Sequence, residues 1–371
     1  MYKVNYKFLA LREKFRIFYN NELRQKYQEL EPIRQKYLTY FILCCSLFTF
    51  LAGVYVYFCM EGFISEKTYT SNGMIKLYFF YFIIAYAVCF VPIYEFKSNT
   101  KFMVMDKILS FFGGFNYSQG YDFIKEEDIK DSGLFGVFHE QEQDDAFKGT
   151  YEGTEIKVSE QKLKRIIHTR RGRREKTIFK GIFIALHFNK TCNGSTVVRG
   201  GSFIGFCKYN WFEIILGIAA TFPLIMVVVF TRRTHIMLIE QVIAYGIIYF
   251  FILFWIFKLM KRRQNEKVCL EDVVFSKKWT VYADDQIEAR YVLTPALMER
   301  MLAVKKLFHG HQIDFSFRKN NLLIAVHTNK DMFETTSLFR STLNYGKVWE
   351  VICQLNSVFS VIDTLRLQKE N

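Results

Sequence analysis

The sequence lacks the short motifs that mark the common catalytic sites. It has no Gly-x-Ser-x-Gly nucleophile turn, no phosphate-binding P-loop, no His-Glu-x-x-His zinc motif and no dinucleotide-binding glycine fingerprint. None of the 8 cysteines forms a Cys-x-x-Cys pair, which argues against a zinc ribbon and a dithiol redox centre. Such scattered cysteines are typical of a reducing compartment. A standard enzyme site is therefore unsupported, and we expect no cofactor.

A cleavable signal peptide is not apparent either, because a long polar segment precedes the first apolar run. Hydrophobic residues make up 51% of the chain and are concentrated in four runs. This clustering is typical of a membrane protein that carries soluble segments. The net charge of +14 lies outside the runs and suits the cytoplasmic face of an anionic bilayer, so nucleic acid is not needed to explain it.

Two of the runs, at 37–60 and about 75–94, are each long enough to cross a bilayer as a helix. The connection between them, 61–74, contains Lys67 as its only basic residue. The segments flanking the pair are rich in lysine and arginine, and such bases mark the cytoplasmic side of a span. We therefore predict a hairpin over residues 37–94 with both ends in the cytoplasm.

The other two runs, at 211–230 and 235–260, predict a second hairpin over residues 211–260. Its basic C-terminal end places the following residues in the cytoplasm as well. Glu240 lies inside the predicted fourth span, where an ionisable side chain is by default a functional candidate. The alternative is an ion pair with the two arginines of the short turn between the spans.

These observations predict a membrane protein with four helical spans in two hairpins, plus a cytoplasmic α+β domain assembled from two separated halves. The predicted parts are a cytoplasmic N-terminal helix at 1–36, the first transmembrane hairpin at 37–94, half A at 95–210, the second transmembrane hairpin at 211–260, and half B at 261–371. The N-terminal helix carries an apolar stripe and most simply packs on the protein's own domain.

A short internal similarity links the two halves. Residues 184–190 read IALHFNK and residues 324–330 read IAVHTNK, and each is a predicted strand in a half that follows a membrane hairpin. One interpretation is a duplication of hairpin plus soluble half. The alternative is chance similarity between two apolar strands, and two-fold pseudosymmetry of the fold would favour the duplication.

Half B contains the most strongly patterned soluble stretch, at 279–308. Asp285 is predicted to cap a short helix, with Glu288 closing a capping box. A second helix is predicted to begin at Thr294, with Pro295 in its first turn. The acids and the nearby arginine also suit acid–base catalysis, although capping and an ion pair explain them as well. The candidate catalytic residues are Asp284, Asp285, Glu288 and Arg290.

The remainder of half B is predicted to form two strands and a final helix. Residues 313–318 and 322–328 have strand patterns, and Asn320 and Asn321 between them are typical turn residues. Apolar residues at helical spacing predict a last helix that includes 348–362.

A dense basic run at 164–176 lies between two predicted strands and is expected to form the tip of a long hairpin. A solvated loop is one interpretation. The functional alternative is contact with anionic lipid, because each base near a membrane surface contributes about 1 kcal/mol. Nucleic acid is less favoured, because no aromatic side chains alternate with the bases. The candidate lipid-binding residues are Arg165, Arg170, Arg171, Arg173 and Arg174.

Four histidines are weak candidates for a metal site, although no metal is expected. His187 and His327 occupy equivalent positions in the internal similarity, and His309 and His311 are two residues apart. Neutral imidazoles bind transition metals. Nothing in the spacing brings the four together, and histidines in a core or on a surface are commoner.

Three segments of the chain resemble, in order, parts of a bacterial membrane-protein family. They are TIFKGIFIALHFNK, VYADDQIEARYVLTPALMERM and IAVHTNKDMFE. The family is known only as a domain of unknown function, number three-one-three-seven in that series, and the resemblance covers most of residues 1–200 and 270–365. It implies an N-terminal helix, a membrane hairpin and a cytosolic α+β part, but no catalytic residue. The hairpin at 211–260 departs from the commoner members, whose soluble blocks are closer in sequence.

The function that these features favour is a membrane-anchored binding or scaffold module in the bacterial inner membrane. Expected partners are anionic lipid and either a protein partner or a second copy of the chain. The first alternative is a membrane-bound enzyme with acidic residues around Asp284 to Arg290. A weaker alternative, a transporter, rests on Glu240 and on Pro223 in the third span.

Overall fold

The computed structural model describes residues 6–60, 72–120, 123–169, 172–200 and 266–365. The predicted second hairpin at 211–260 lies outside the described residues, and so do Glu240 and Pro223 within it. Arg170 and Arg171 of the basic run also lie outside them.

The described helices and strands are bounded as follows. The helices are α1 (Tyr6–Phe18), α2 (Arg24–Met60), α3 (Asn72–Leu109), α4 (Glu126–Asp131), α5 (Val273–Ser276), α6 (Gln286–Val292), α7 (Pro295–Leu307) and α8 (Tyr345–Leu365). The strands are β1 (Phe115–Gln119), β2 (Glu140–Tyr151), β3 (Thr154–Thr169), β4 (Gly172–Gly200), β5 (Glu266–Val268), β6 (Trp279–Ala283) and β7 (Ile313–His327). A π-helical turn at Tyr19–Leu23 joins α1 to α2.

Two helical stretches of the described chain, Phe8–Tyr55 and Phe80–Leu109, are long and apolar enough to cross a membrane. The helices α2 and α3 pack against each other, with ring centroids of Phe48 and Tyr81 5.7 Å apart. The 38 residues of α3 extend about 57 Å at 1.5 Å per residue. That is about twice the 30 Å thickness of a bilayer's hydrocarbon core, which a helix of about 20 residues can span.

The burial of side chains divides both helices into two parts. Along α3, large apolar side chains between residues 80 and 94 are exposed, whereas Phe96, Val104 and Ile108 are buried. Along α2 the order is reversed: Tyr27 is buried, and the large apolar side chains between residues 40 and 57 are exposed. Each helix therefore has one part that belongs to the protein core and one part whose apolar side chains are exposed among the described residues.

The strands described here form one large sheet in the order β1-β2-β3-β4-β6-β5, and β7 pairs with β4 as well. Strand β4 runs antiparallel to β6 over Thr196–Gly200 and antiparallel to β7 between Gly181 and Val198. Because β4 precedes the predicted second hairpin and β6 and β7 follow it, the two separated parts of the sequence meet in this sheet.

The predicted turn at Asn320 and Asn321 is wrong. Strand β7 continues without reversal from Ile313 to His327. Lys319 has a positive φ of 54°, and the register of β4 opposite it shifts between His187 and Ser195. These irregularities act as a β-bulge, which accommodates the polar residues by a local kink instead of a chain reversal.

The two similar segments of the sequence meet in the sheet at their first residues. Ile184 of β4 lies opposite Ile324 of β7 in an antiparallel ladder, so a local two-fold axis through this pair relates the two strands. The described elements around this pair follow different orders: β2, β3 and β4 are consecutive, whereas α6 and α7 separate β6 from β7. The symmetry therefore holds for the strand pair, and duplication of the larger unit stays a hypothesis.

The chain divides into two compact units. The first contains Met1–Phe123, Gln143–Glu160 and Asn329–Asp363, and the second contains Ile124–Glu142, Gln161–Thr328 and Thr364–Asn371. The core of the first unit is aromatic, with the rings of Phe147 and Phe333 5.6 Å apart and those of Phe115 and Phe359 4.8 Å apart. The buried core of the second unit includes Ile129, Leu134, Phe135, Leu163, Phe179, Phe183 and Ala325.

Candidate functional site

Asp285 caps helix α6, as the sequence predicted. Its Oδ1 accepts a hydrogen bond of 2.7 Å from the backbone N–H of Ile287. The following helix begins as predicted too, because the Thr294 hydroxyl accepts from the N–H of Leu297 and Pro295 occupies the first turn. Capping satisfies N–H groups that have no partner inside the helix. Asp285, one of the candidate catalytic acids, therefore has a structural role as a helix cap.

Glu288 does not close a capping box but bonds to the bulged part of β4. Its carboxylate accepts hydrogen bonds from the backbone N–H groups of Asn193 and Gly194, the latter at 2.8 Å. Asp284 accepts from both the N–H and the hydroxyl of Ser195, at 3.0 and 2.9 Å. These two acids together fix the bulged part of β4, where backbone donors would otherwise lack strand partners.

Arg290, the remaining candidate of this group, is exposed and forms no ion pair with another described residue. The arrangement brings Asp284 and Glu288 to the bulged part of β4 but directs both carboxylates at backbone donors. A general base must reach the proton that it removes from a substrate. The geometry of this group therefore favours structural roles over catalysis.

The structure spreads the four candidate histidines over the second unit. His187 pairs with Asn321, whereas His327 pairs with Gly181, six residues before His187 in β4. At about 3.3 Å per residue, their backbones are about 20 Å apart along the ladder. His309 and His311 lie in the connection between α7 and β7.

His327 has a partner of its own in this unit. Its Nε2 lies 2.9 Å from Oδ2 of Asp314, whose side chain is fully buried. Asp314 also accepts from the backbone N–H of Gly200 at 2.7 Å, and the ring of Phe179 contacts the imidazole edge-on. Asp314 thus links the end of β4 to β7 through Gly200, a structural role that buried and hydrogen-bonded carboxylates commonly have.

The basic run forms the facing ends of β3 and β4, and local acids neutralise part of it. Arg173 lies 2.6 Å from Glu140 and 3.7 Å from Glu175. The Nε of Arg165 donates to the backbone carbonyl of Val137 at 2.7 Å. Arg174 is exposed.

A buried ionic cluster in the first unit is the site that the sequence reasoning missed. Helix α3 supplies Lys101, whose side chain is only 2% exposed. The segment that precedes α8 supplies Glu334, 2.9 Å from the ammonium. Strand β2 supplies Asp145, fully buried and in direct contact with the same ammonium. Strand β3 supplies Glu160, and β1 supplies Tyr117.

Hydrogen bonds connect the cluster to its surroundings. The hydroxyl of Tyr117 donates to Asp145 Oδ1 at 2.6 Å. Glu160 accepts from the backbone N–H of Met332, at 3.2 and 3.1 Å to its two oxygens. Next to Lys101, the hydroxyls of Thr100 and Thr336 are 2.7 Å apart. The cluster therefore ties α3 to three strands and to the segment at 331–336.

Burial raises the pKa values of two carboxyl groups in the cluster. It raises the pKa of Asp145 to about 7, although the Lys101 ammonium opposes this rise and the charge of Asp144 adds to it. Burial also raises the pKa of Glu160 to about 8, with a contribution from the charge of Asp145 and opposition from the Met332 N–H. Both carboxyl groups therefore titrate near neutral pH, because removing a carboxylate from water disfavours its charged form.

The charges of the cluster suit ion pairing better than metal binding. Oxygens of Asp144, Asp145 and Glu160 lie within 4.8 Å of one another, which is close enough to surround a cation. The ammonium of Lys101 contacts Asp145 and lies 3.9 Å from Asp144, so it already supplies the positive charge. A buried ammonium paired in this way makes a dedicated metal site unnecessary.

One sequence signal could have found this cluster. Lys101 interrupts the apolar stripe of α3 that includes Phe96, Val104 and Ile108. A base on the buried face of a helix needs an acid opposite it, because an unpaired buried charge is strongly unfavourable. The sequence does not say which acid that is, since many carboxylates are available along the chain.

The protein thus combines two apolar helices with a large antiparallel sheet, and the buried cluster lies where they meet in the first unit. Residues 177–367 match the model of the family described as "Protein of unknown function (DUF3137)". That match spans more than half of the chain, and the chain belongs to this family.

No curated protein matches the sequence. Among solved structures, the crystal structure of the mycobacterial trehalose monomycolate transport factor A, TtfA, aligns with a TM-score of 0.29 and 9% identity. The alignment covers 70% of this chain and 93% of that chain. A TM-score this low carries no argument about fold or function.

Proposed function

We propose that the chain is a membrane-anchored binding or scaffold module of the bacterial inner membrane, with both termini in the cytoplasm. The observation that carries this proposal is the apolar surface of α2 and α3 that is exposed among the described residues. The exposed side chains between residues 80 and 94 include Phe80, Phe82, Ile84, Tyr86, Phe90, Val91 and Tyr94. A contiguous apolar surface of this kind is unfavourable in water, and a bilayer is the solvent that it fits.

The boundary of this apolar surface has the composition of a membrane interface. Tyr37, Tyr40 and Tyr94 lie where the exposed apolar parts of the two helices begin. The ammonium of Lys36 lies 5.8 Å from the centre of the Tyr40 ring. Tyrosine and basic side chains at the ends of apolar helices are typical of the headgroup region. This supports a bilayer boundary near these residues, with the remainder of both helices in the cytoplasm.

Cysteine labelling tests the proposed topology. In a background without native cysteines, we expect a membrane-impermeant reagent to label Ser71→Cys from the periplasmic side. We expect Asn99→Cys and Ser357→Cys to be labelled only after the membrane is opened, because the basic residues on that side favour the cytoplasm. Asn99→Cys and Ser357→Cys are both placed on the cytoplasmic side, so the two variants should be labelled alike and each controls for the other. Labelling of Ser357→Cys in intact spheroplasts would refute the proposed orientation.

A binding role is favoured over catalysis by the outer face of α6. Ile287 and Tyr291 are four residues apart on this helix, and they are 80% and 63% exposed. The acids at the start of the helix, Asp285 and Glu288, bond to backbone N–H groups instead of facing a cleft. Exposed large apolar side chains on a well-capped helix suit contact with a partner protein.

Paired substitutions separate binding from catalysis at α6. We expect Ile287→Ser with Tyr291→Ser to abolish complementation of a deletion strain while the protein stays folded, because the contact face is lost. Asp285→Asn should complement, since asparagine also caps helices, whereas Asp285→Ala should lower stability by about 0.5–2 kcal/mol. Complementation and thermal unfolding are the measurements.

A photo-crosslinking residue provides an independent test of the same face. Placed at Ile287 it should trap a partner in intact cells, and placed at the exposed Glu299 of α7 it should not. Full complementation by the double serine variant without crosslinking at Ile287 would exclude this face as the binding site. A folded Asp285→Asn protein that fails to complement would favour the membrane-bound enzyme instead.

Anionic lipid is the second partner in this proposal. The exposed Arg174 supports it. The ion pair of Arg173 with Glu140 reduces the net charge of the same hairpin, so we expect lipid contact to assist anchoring and not to replace the apolar helices.

A further inference from the structure

Glu160 is a buried carboxyl group that interacts with the charge of Lys101 but forms no direct ion pair in the described chain. The residue is 4% exposed, and its hydrogen-bond donor is the backbone N–H of Met332. No lysine, arginine or histidine of the described residues forms an ion pair with it. A buried carboxylate that lacks a counter-charge is costly, and such groups usually become neutral by binding a proton.

The other charges around Glu160 are already matched. Lys101 contacts Asp145, and Lys97 lies 3.0 Å from Glu334. Two further acids, Asp144 and Asp331, lie at the solvent-exposed rim. The groups that face the site are therefore Lys97, Lys101 and Asp106 from α3, Tyr117 from β1, Asp144 and Asp145 from β2, Glu160 from β3, and Asp331 and Glu334 from the segment before α8.

We propose that Glu160, with Asp145 beside it, forms a proton-binding site that holds one proton at neutral pH and controls how the segment at 331–336 attaches to α3. Among the three inner acids, Asp145, Glu160 and Glu334, the proton removes the one negative charge that Lys97 and Lys101 leave unmatched. When Glu160 loses it, a second carboxylate faces Asp145 across less than 4.8 Å in a water-poor site. Like charges at that distance repel strongly, so water or movement must relieve them.

The attachment of the segment depends on this site through three contacts. Met332 donates its N–H to Glu160. Glu334 pairs with Lys101 at 2.9 Å, and Thr336 bonds to Thr100. All three contacts lie within six residues of chain and join the segment to β3 and to α3. Repulsion at Glu160 therefore acts on the connection between the apolar hairpin and the rest of the first unit.

The direction of the pH effect follows from the pKa values. The folded protein raises the pKa of Glu160 to about 8 and that of Asp145 to about 7, above the usual values near 4. Between about pH 4 and pH 8 the folded state binds more protons than the unfolded state, so the stability of the fold decreases as pH rises. The stabilisation that Glu160 and Asp145 contribute is complete below about pH 4 and is lost as pH increases through about 7 to 8.

Hydrogen exchange of the full chain in lipid nanodiscs tests the proposal. After correction for the intrinsic rate, exchange in a peptide covering 331–336 should increase at least about tenfold between about pH 6 and pH 9. Glu160→Gln should remove this increase, because the amide still accepts from Met332 but cannot ionise. Glu155→Gln on the same strand is the matched control, because its side chain is 66% exposed, and it should behave like the parent.

Infrared spectroscopy of the parent protein gives a second readout that needs no foldable variant. The carbonyl band of a buried, protonated carboxylic acid should be present at about pH 6 and disappear by about pH 9. Absence of that band, or an unchanged pH dependence of exchange in a folded Glu160→Gln protein, would overturn the proposal. Protection restored at high pH by Mg²⁺ or Ca²⁺ would overturn it as well, since a metal ion would then be the ligand.

Discussion

Replacing Lys101 by methionine is expected to destabilise the first unit by about 3–5 kcal/mol, the range observed when one partner of a buried ion pair is removed. Methionine preserves much of the length of the side chain, so the loss is mainly electrostatic. Asp145 and Glu334 would keep their buried positions without the ammonium between them. Guanidinium unfolding in a mild detergent, followed by circular dichroism, measures the change.

Two further variants show whether the effect comes from the cluster. Lys107 lies six residues further along α3, is 38% exposed and pairs with Glu22, so Lys107→Met should cost less than about 1 kcal/mol. Adding Asp145→Asn to Lys101→Met should recover part of the stability, because one uncompensated carboxylate is then removed. Equal stability of the two methionine variants would show that the cluster does not hold α3 to the sheet.

Gly181→Ala is expected to cost at least about 3 kcal/mol or to prevent folding of the second unit, because the obstacle to the methyl group is backbone. A β-carbon at this position would lie 2.0 Å from the carbonyl oxygen of Val326, and Gly181 has a φ of +154°. Strands β4 and β7 would have to separate to admit it. Thermal unfolding and limited proteolysis measure the loss.

Gly200 at the end of the same strand provides the matched control. A β-carbon there would meet the side chain of Gln312 at 3.3 Å, and that side chain can move. We therefore expect Gly200→Ala to cost less than about 1 kcal/mol. If Gly181→Ala is tolerated as well as Gly200→Ala, the close approach of β4 and β7 at that point is not a constraint.

Features encoded within a few residues could be predicted from the sequence. The caps at Asp285 and Thr294 lie within three residues of the N–H groups that they satisfy, so local patterns were sufficient. The two apolar helices were also readable, because their length and hydropathy are properties of continuous segments. Helix α3 nevertheless extends to Leu109, well past the predicted end of the second span near residue 94.

Features that depend on distant partners could not be predicted. Glu288 has the spacing of a capping box, but its bonding partners are 95 and 94 residues away at Asn193 and Gly194. Adjacent asparagines usually favour a turn, yet pairing with β4 keeps β7 extended through Asn321. Asp145 and Glu160 look like ordinary surface acids until the fold places them beside Lys101.

The pairing of strands in the sheet also fixes the distance between Gly200 and Glu266, which the connection at 201–265 joins. Gly200 pairs with Trp279, and both Thr196 and Glu266 pair with Ala283. At about 4.8 Å between strands and 3.3 Å per residue, the two ends are about 16 Å apart, a gap that about eight residues can span.

Loop-closure entropy grows only with the logarithm of loop length. Even treated as a flexible chain, the 65 residues at 201–265 would cost only about 2 kcal/mol more to close than eight residues would. The ladders of β4 with β6 and β7 can offset that difference. The sheet therefore constrains the length of this connection only weakly.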